Sequence, residues 1–503
     1  MAGIFNGAHD MHLENATFIA TENYVVHNAA FSTSPLKELE PRISAGAMHN
    51  SLERCDAPKC HPETRVAVQE ELFSWIVEGD NDPEPKRIAW VTGPAGTGKT
   101  AIMGTLADRC HKGGLLAACF FFSSTSTSST QRASTALIPT LAYQLSQHDE
   151  SLKGAIANAL EGDPIIFKKD LRAQMETLLL KPLREVQERI EPSSWPKVII
   201  IDGLDECEAE QFHNVKPFPG RKPAEPRTNQ DAQEEILRVL EEAQSDPAFP
   251  FRILVASRPE RIFRLFFDPE QRSMPFASIV LDEKYKPDTD ITLFLEAKFK
   301  EIRRKYRLMA SWPPQNAIPT LVKNSSGQFV YAATIARFIS EARNGNPQVL
   351  LDIALKLKPI DTGRVNPFAH LDALYSQILH SSPDPDLVVK WLWFMKIWAS
   401  QDDLDDKPPP AYFVNFMLEM FEGEADHLLG DVHSLVKVPS LEDLEAPYGF
   451  YHKSLFDFLD DIHRSGPLYL VYSLRSNFVW EKYLAVIRGA LSCISCSAAE
   501  YKF

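Results

Sequence analysis

Gly93-Pro94-Ala95-Gly96-Thr97-Gly98-Lys99-Thr100 fits the pattern GxxxxGK[ST] at every fixed position. Those fixed positions recur by chance in a chain of about 500 residues on the order of once in fifty, and the flanks make chance less plausible still. Ile88-Ala89-Trp90-Val91 reads as a buried strand entering the loop, and Ala101-Ile102-Met103-Gly104-Thr105-Leu106-Ala107 as a helix leaving it. Strand, glycine loop and helix is the order that turns backbone N–H groups and a helix N-terminus onto phosphates. Glycines let the backbone wrap closely, and Pro94 stiffens the loop. Lys99 is expected to reach the β and γ phosphates of a nucleoside triphosphate, and the Thr100 hydroxyl to ligate Mg²⁺. Ala101 belongs to the same binding set, in the first turn of the helix. The competing reading, a glycine turn before an ordinary helix, is disfavoured by the motif and its context.

About a hundred residues later, Lys197-Val198-Ile199-Ile200-Ile201 is a β-branched run suited to a fully buried parallel strand, ending in Asp202-Gly203-Leu204-Asp205-Glu206. Carboxylates at the carboxyl end of such a strand face the ligand crevice of an open α/β sheet. Asp202 is the natural Mg²⁺ partner, and Asp205 or Glu206 could orient or deprotonate an attacking water. A third strand, Phe251-Arg252-Ile253-Leu254-Val255-Ala256, delivers Ser257 and Arg258 to the same edge. A guanidinium there can pair with γ-phosphate oxygens that are lost on hydrolysis.

GPAGTGKTAI, IIIDGLDEC and ILVASRPE, in this order and spacing, resemble the NACHT class of signal-transduction NTPases (STAND class). The likeness is to the large fungal NACHT proteins, whose nucleotide domain is similar to the N-terminal NTPase domain of nephrocystin-like proteins. Gly203 directly after the Mg²⁺ aspartate, with an acidic pair beyond it, carries the likeness. Cys60-His61-Pro62-Glu63-Thr64-Arg65 resembles the segment that enters this domain and lines the adenine side, which implies Thr64 and Arg65 as nucleotide contacts. Leu115 to Phe122 resembles the second strand and Ile138 to Leu145 the following helix. Leu321 to Ile339 resembles the small helical domain that closes over the base. Tyr451-His452-Lys453-Ser454-Leu455-Phe456-Asp457-Phe458-Leu459 resembles the end of the winged-helix domain, where a histidine contacts the β-phosphate of bound ADP. His452 is the matching position; the competing reading is a hydrogen-bonded histidine opening an amphipathic helix.

The expected fold is therefore α/β: a P-loop NTPase with a mostly parallel sheet, followed by a small helical domain and a winged-helix domain. Strands at Ile88, Ala117, Val198, Ile253 and Ile279 alternate with helical patterns. The expected divisions are 1–60, of unknown role with a weak strand pattern at Phe18 to Val26; 61–282, the nucleotide domain, with 208–232 a mobile insertion; 283–358, helical; 359–465, winged helix; and 466–503, a tail. Ile291, Phe294, Leu295, Phe299 and Ile302 form a helical stripe read as core. The family commonly continues into repeats, and no repeat of any period is found up to Phe503.

The net charge of −15 and the lack of a basic stripe argue against nucleic acid as a partner. The seven cysteines are scattered, and the one CxxC, Cys493 and Cys496, lacks a second ligand pair for zinc. No signal segment and no apolar run long enough for a membrane span are visible, so a cytoplasmic location is expected.

The resemblance implies a switch with ATP/ADP and Mg²⁺ as cofactors. It implies slow ATP hydrolysis, self-association in the ATP state, an unknown protein partner or ligand, and a role in nonself recognition or cell death. Two alternatives stand beside it: a non-hydrolysing scaffold stabilised by nucleotide, and a P-loop kinase, for which neither a lid arginine set nor an acceptor pocket is found.

Overall fold

The computed structural model describes residues 35–126, 128–189, 195–209, 227–268, 270, 275–341, 346–359, 366–399, 409–440 and 442–500. The strand pattern at Phe18 to Val26 and most of the insertion, 210–226, lie outside the described residues.

Five strands form one parallel sheet: β1 (Ile88–Thr92), β2 (Leu116–Phe121), β3 (Val198–Asp202), β4 (Arg252–Ser257) and β5 (Phe276–Val280), in the order β2-β3-β4-β1-β5. Every residue of β1 to β4 is buried, which is why these runs are continuously apolar rather than alternating. The period of two divides each strand between two cores. Ala89, Val91, Phe121, Ile200 and Leu254 pack against α1 (Val66–Glu78) and α2 (Lys99–Lys112). Trp90, Phe120, Ile199, Ile201 and Val255 pack on the opposite face, against α3 (Leu137–Leu145) and α4 (Asn229–Gln244). A Thr228–Asp231 capping box starts α4, so this helix begins at Asn229, within the stretch read as a mobile insertion.

β4 stands between the phosphate-loop strand β1 and the acidic strand β3. Its last residues therefore fall between the two motifs, at the carboxyl edge of the sheet.

The rest of the chain is mainly helical. α5 (Pro287–Lys305) buries Ile291, Leu295, Phe299 and Ile302 of the expected stripe, while Phe294 is half-buried against the same core. α6 (Ala317–Ser325) and α7 (Phe329–Glu341) follow, then α8 (Ala369–Leu379) and α9 (Pro385–Ala399). A two-stranded antiparallel ribbon, β6 (Val436–Lys437) and β7 (Gly449–Phe450), leads into α10 (Ser454–Leu459). One contiguous core runs from Ile291 through Trp391 to Phe458 and Val479, so the helical and ribbon-bearing parts share their interior. The stretch read as a tail forms a helix, α11 (Tyr472–Glu500), whose Arg475 guanidinium lies 3.7 Å from the Trp393 ring centre. The side chains of Cys493 and Cys496 are outside the described residues. The chain is an α/β P-loop NTPase fold followed by a helical C-terminal region.

Candidate nucleotide site

The loop between β1 and α2 turns on two glycines with positive φ, Gly96 at 79° and Gly98 at 90°. A Cβ on Gly98 would meet nothing within 4 Å, so the backbone here faces open space, as a phosphate cradle requires. A Cβ on Gly96 would lie 2.3 Å from Val330 Cγ1, and Val330 N donates to the Gly96 carbonyl at 3.3 Å. The start of α7 thus sits directly on the loop. Lys99 Nζ donates to the carbonyls of Gly93 (2.7 Å) and Pro94 (3.0 Å). Burial lowers its pKa, with the Asp205 carboxylate opposing.

Asp202 ends β3, 1% exposed. Burial pushes its carboxyl up to about 7, against the pull of the Thr100 hydroxyl and the Arg54 guanidinium. The Thr100 contact falls short of hydrogen-bond geometry, and both Asp202 oxygens are buried with no hydrogen-bond partner among the described residues. Orphaned carboxylate oxygens beside a hydroxyl at the head of α2 fit a hard cation. Among the described residues no cluster of three or more His, Cys, Asp or Glu could hold a metal ion. A Mg²⁺ on Thr100 and Asp202 would take its other ligands from phosphate oxygens and water, the usual habit of this ion. The residues present fit the group.

Gly203 turns the chain at φ 69°, where a Cβ would lie 2.8 Å from the Phe122 carbonyl oxygen. That turn places the next two carboxylates. Asp205 Oδ1 accepts from Arg258 N at 3.0 Å, and its Oδ2 lies 3.3 Å from Arg258 Nε and 4.0 Å from Lys453 Nζ. Glu206 Oε2 accepts from Ser124 N (2.8 Å) and Ser124 Oγ (3.0 Å). Burial raises the Glu206 carboxyl, with Lys453 opposing.

Arg258 follows β4, while Trp90 Nε1 donates to the neighbouring Ser257 Oγ at 2.8 Å. The Arg258 Nη1 donates to Asp457 Oδ2 of α10 at 2.7 Å. Burial alone would lower this guanidinium; Asp457 and Asp205 outweigh it and raise it. His452 stands just before α10. Its Nδ1 accepts from Ser454 N at 3.1 Å and lies 2.7 Å from Ser454 Oγ, which in turn meets the Tyr375 hydroxyl at 2.7 Å. Accepting at Nδ1 leaves the proton of the neutral ring on Nε2. Burial, then the Arg258 and Lys99 charges, hold its pKa down, to about 3.

The structure thus brings Lys99, Thr100, Asp202, Asp205, Glu206, Arg258 and His452 to one sheet edge. Thr64 and Arg65 are engaged differently. Thr64 Oγ1 donates to the His61 carbonyl at 2.7 Å. Arg65, 4% exposed at φ 57°, donates from Nη2 to the Thr97 carbonyl at 2.7 Å, and its guanidinium lies 4.8 Å from the Phe329 ring centre. Arg65 therefore braces the loop from behind and ties it to α7. Sequence reasoning missed Ser124, Lys453, Asp457, Val330 and Arg54. Only Asp457 left a local signal, a lone charge in the run Leu455-Phe456-Asp457-Phe458-Leu459.

Residues 67–219 match the family model of the nephrocystin 3 N-terminal domain. This stretch carries the phosphate loop and the acidic strand, so the expected resemblance holds at that level: a nephrocystin-like, nucleotide-binding P-loop NTPase domain. No curated protein matches the chain. Similar solved structures include the Aeropyrum pernix ORC1 protein in complex with DNA (16% identity, 79% of this chain, 91% of that one, TM-score 0.31). Drosophila ORC bound to DNA is another (13%, 75% and 88%, TM-score 0.34). A third is the Aeropyrum pernix ORC2 protein in ADPNP–ADP complexes (12%, 87% and 98%, TM-score 0.33). Two of these are bound to DNA, and the exclusion of nucleic acid drawn from net charge does not stand. A total of −15 is a sum over the chain and does not exclude a local binding surface. Likeness at these scores carries no DNA binding to this chain. Among the described residues no helix is long and apolar enough to cross a membrane.

Proposed function

We propose that this chain is an ATP/ADP-dependent signalling switch of the NACHT (STAND) class, of the fungal type, acting in the cytoplasm. The observation that carries the reading is the Arg258–Asp457 ion pair at 2.7 Å. The guanidinium best placed to sense a γ-phosphate is held by a carboxylate from α10, beyond the sheet domain. A γ-phosphate would compete for Arg258 and repel Asp457, so triphosphate and the closed arrangement oppose each other. His452, with its Nε2–H free of the Ser454 contact, would donate to the β-phosphate of ADP and hold α10 against the site.

In this reading Gly93 to Thr100 and Ala101 cradle the phosphates, Lys99 spans β and γ, and Thr64 and Arg65 border the base side. Thr100 and Asp202 hold Mg²⁺, which when bound neutralises phosphate charge. Asp205 or Glu206 positions the attacking water. The expected divisions at about 61–282, 283–358 and 359–465 would be the nucleotide, helical and winged-helix units, the last two moving together on exchange because they share one core. Moving a two-state equilibrium from 1:99 to 99:1 takes about 5.5 kcal/mol. Two or three charge-assisted contacts of about 1.5–3 kcal/mol each would supply it. The ATP state would self-associate, in a role such as nonself recognition or cell death, with a protein partner or ligand as trigger.

The test is the nucleotide released on denaturing the purified native chain, with Lys99→Ala as control, and particle size in ATP against ADP. Near-stoichiometric ADP, absent from the control, is the expected result. A chain that binds no nucleotide would overturn the switch.

One observation favours a second reading, a scaffold that binds but does not hydrolyse. Both candidate catalytic carboxylates are engaged, Asp205 by Arg258 and Glu206 by Ser124. Normal ATP binding without turnover would select it.

A further inference from the structure

Residues 35–60 carry no catalytic motif, yet part of this segment is pinned against the sheet domain. Ser44 N donates to Thr140 Oγ1 (2.9 Å), Gln131 Nε2 donates to both the Gly46 and Phe121 carbonyls (3.1 and 3.0 Å), and His49 N meets Cys119 Sγ (3.2 Å). Beyond the turn Leu52–Arg54, which the Ser51 side chain caps, Cys60 N donates to Thr105 Oγ1 on α2 at 2.9 Å. The backbone is therefore anchored on β2 before Arg54 and on α2 after it.

The Arg54 guanidinium lies 3.8 Å from the ring centre of Phe121. Phe121 ends β2 and is the register partner of Asp202 at the end of β3. Arg54 thus stands over the edge where the acidic strand terminates, and Asp202 is the strongest charge acting on it. Among the described residues no hydrogen bond or ion pair engages its guanidinium. A planar cation with five donors, stacked on one face and left with its edge free, suits a tetrahedral oxyanion. Burial lowers its pKa, with Asp202 opposing, and an arginine guanidinium keeps its charge in proteins.

We propose that Arg54 is a nucleotide-specificity residue that contacts the terminal phosphate of a bound triphosphate from the Asp202 side, opposite Arg258. The inference rests on the nucleotide-site reading above. It makes the segment before the phosphate loop part of the site, with Arg54 favouring the triphosphate while Asp457 withholds Arg258 from it.

The experiment compares affinities for fluorescent ADP and for a fluorescent, non-hydrolysable ATP analogue, both with Mg²⁺, in the wild-type chain, Arg54→Ala, Arg54→Gln and Lys99→Ala. Thermal unfolding without nucleotide checks each variant, and Arg54→Gln keeps polar bulk in place should Arg54→Ala not fold. The expected result is a loss of about tenfold or more for the triphosphate and under about twofold for ADP in both Arg54 variants, the size of a charge-assisted contact. Equal weakening of both nucleotides, or an unchanged ratio, would overturn the proposal by reducing Arg54 to a packing residue on Phe121. Failure of the wild-type chain to bind either nucleotide would instead remove the site reading on which it rests; wild-type binding lost in Lys99→Ala keeps the two failures distinct.

Discussion

Arg258 Nη1 donates to Asp457 Oδ2 at 2.7 Å across 199 residues of sequence. The pair joins the end of β4 to α10, and the same guanidinium also holds Asp205. Arg258 is mostly buried and Asp457 a quarter exposed, so the pair is worth more than a surface contact and less than a fully desolvated one. Asp457→Asn should remove the charge and leave the shape. Release of ADP is expected to speed up about tenfold, corresponding to about 1.4 kcal/mol, as followed by displacement of a fluorescent ADP. An unchanged rate would mean that the pair is only structural.

Lys99→Ala should abolish nucleotide binding while the fold persists. The ammonium is desolvated and, among the described residues, bonded only to the Gly93 and Pro94 carbonyls, so its removal relieves a buried charge. Unfolding temperature without nucleotide should hold or rise, and the rise on adding Mg²⁺–ATP should vanish. A variant still stabilised by nucleotide would contradict the assignment.

Gly96→Ala tests the contact between the loop and α7. At φ 79° an alanine costs about 1–2 kcal/mol, and its Cβ would strike the stiff, β-branched Val330. The start of α7 should lift, seen as faster proteolysis and looser ADP. Gly98→Ala carries the backbone strain without the clash, so a similar proteolysis pattern in both variants would discount the contact.

His452 makes stability depend on pH. Its folded pKa is about 3 against 6.5 unfolded, because burial and the facing cations Arg258 after β4, Lys99 of α2 and Arg337 of α7 outweigh Asp457 of α10. Between those values the unfolded chain binds the extra proton. Stability is therefore lost as pH falls below about 6.5, by at most about 1.4 kcal/mol per pH unit. His452→Asn keeps an acceptor for Ser454 N and should flatten this dependence in denaturant unfolding between pH 6.5 and 4. His452→Ala should in addition release ADP more readily; tight retention would count against the lock.

Much of the fold was legible because its signals are local. A fully buried parallel strand must be apolar and β-branched, which marks Val198 to Ile201, and the phosphate loop needs glycine wherever φ is positive. The helical stripe Ile291, Leu295, Phe299 and Ile302 has one period and one buried face. Start points were less legible: the capping box at Thr228 and Asp231 sat inside a stretch read as insertion, since its polar residues look alike in a cap and in a loop. The exclusion of nucleic acid failed for another reason, that a whole-chain charge has no address.

By itself the sequence determined that a phosphate-type glycine loop, an aspartate ending a strand and an arginine after a strand would meet at one sheet edge. Strand direction and residue chemistry leave little choice once a parallel sheet forms. Only the tertiary structure decided the partners: Asp457 for Arg258, Ser124 for Glu206, Thr97 for Arg65 and Phe121 beneath Arg54. These join side chains brought together by packing between separate elements, and no local propensity encodes which carboxylate a buried guanidinium will find.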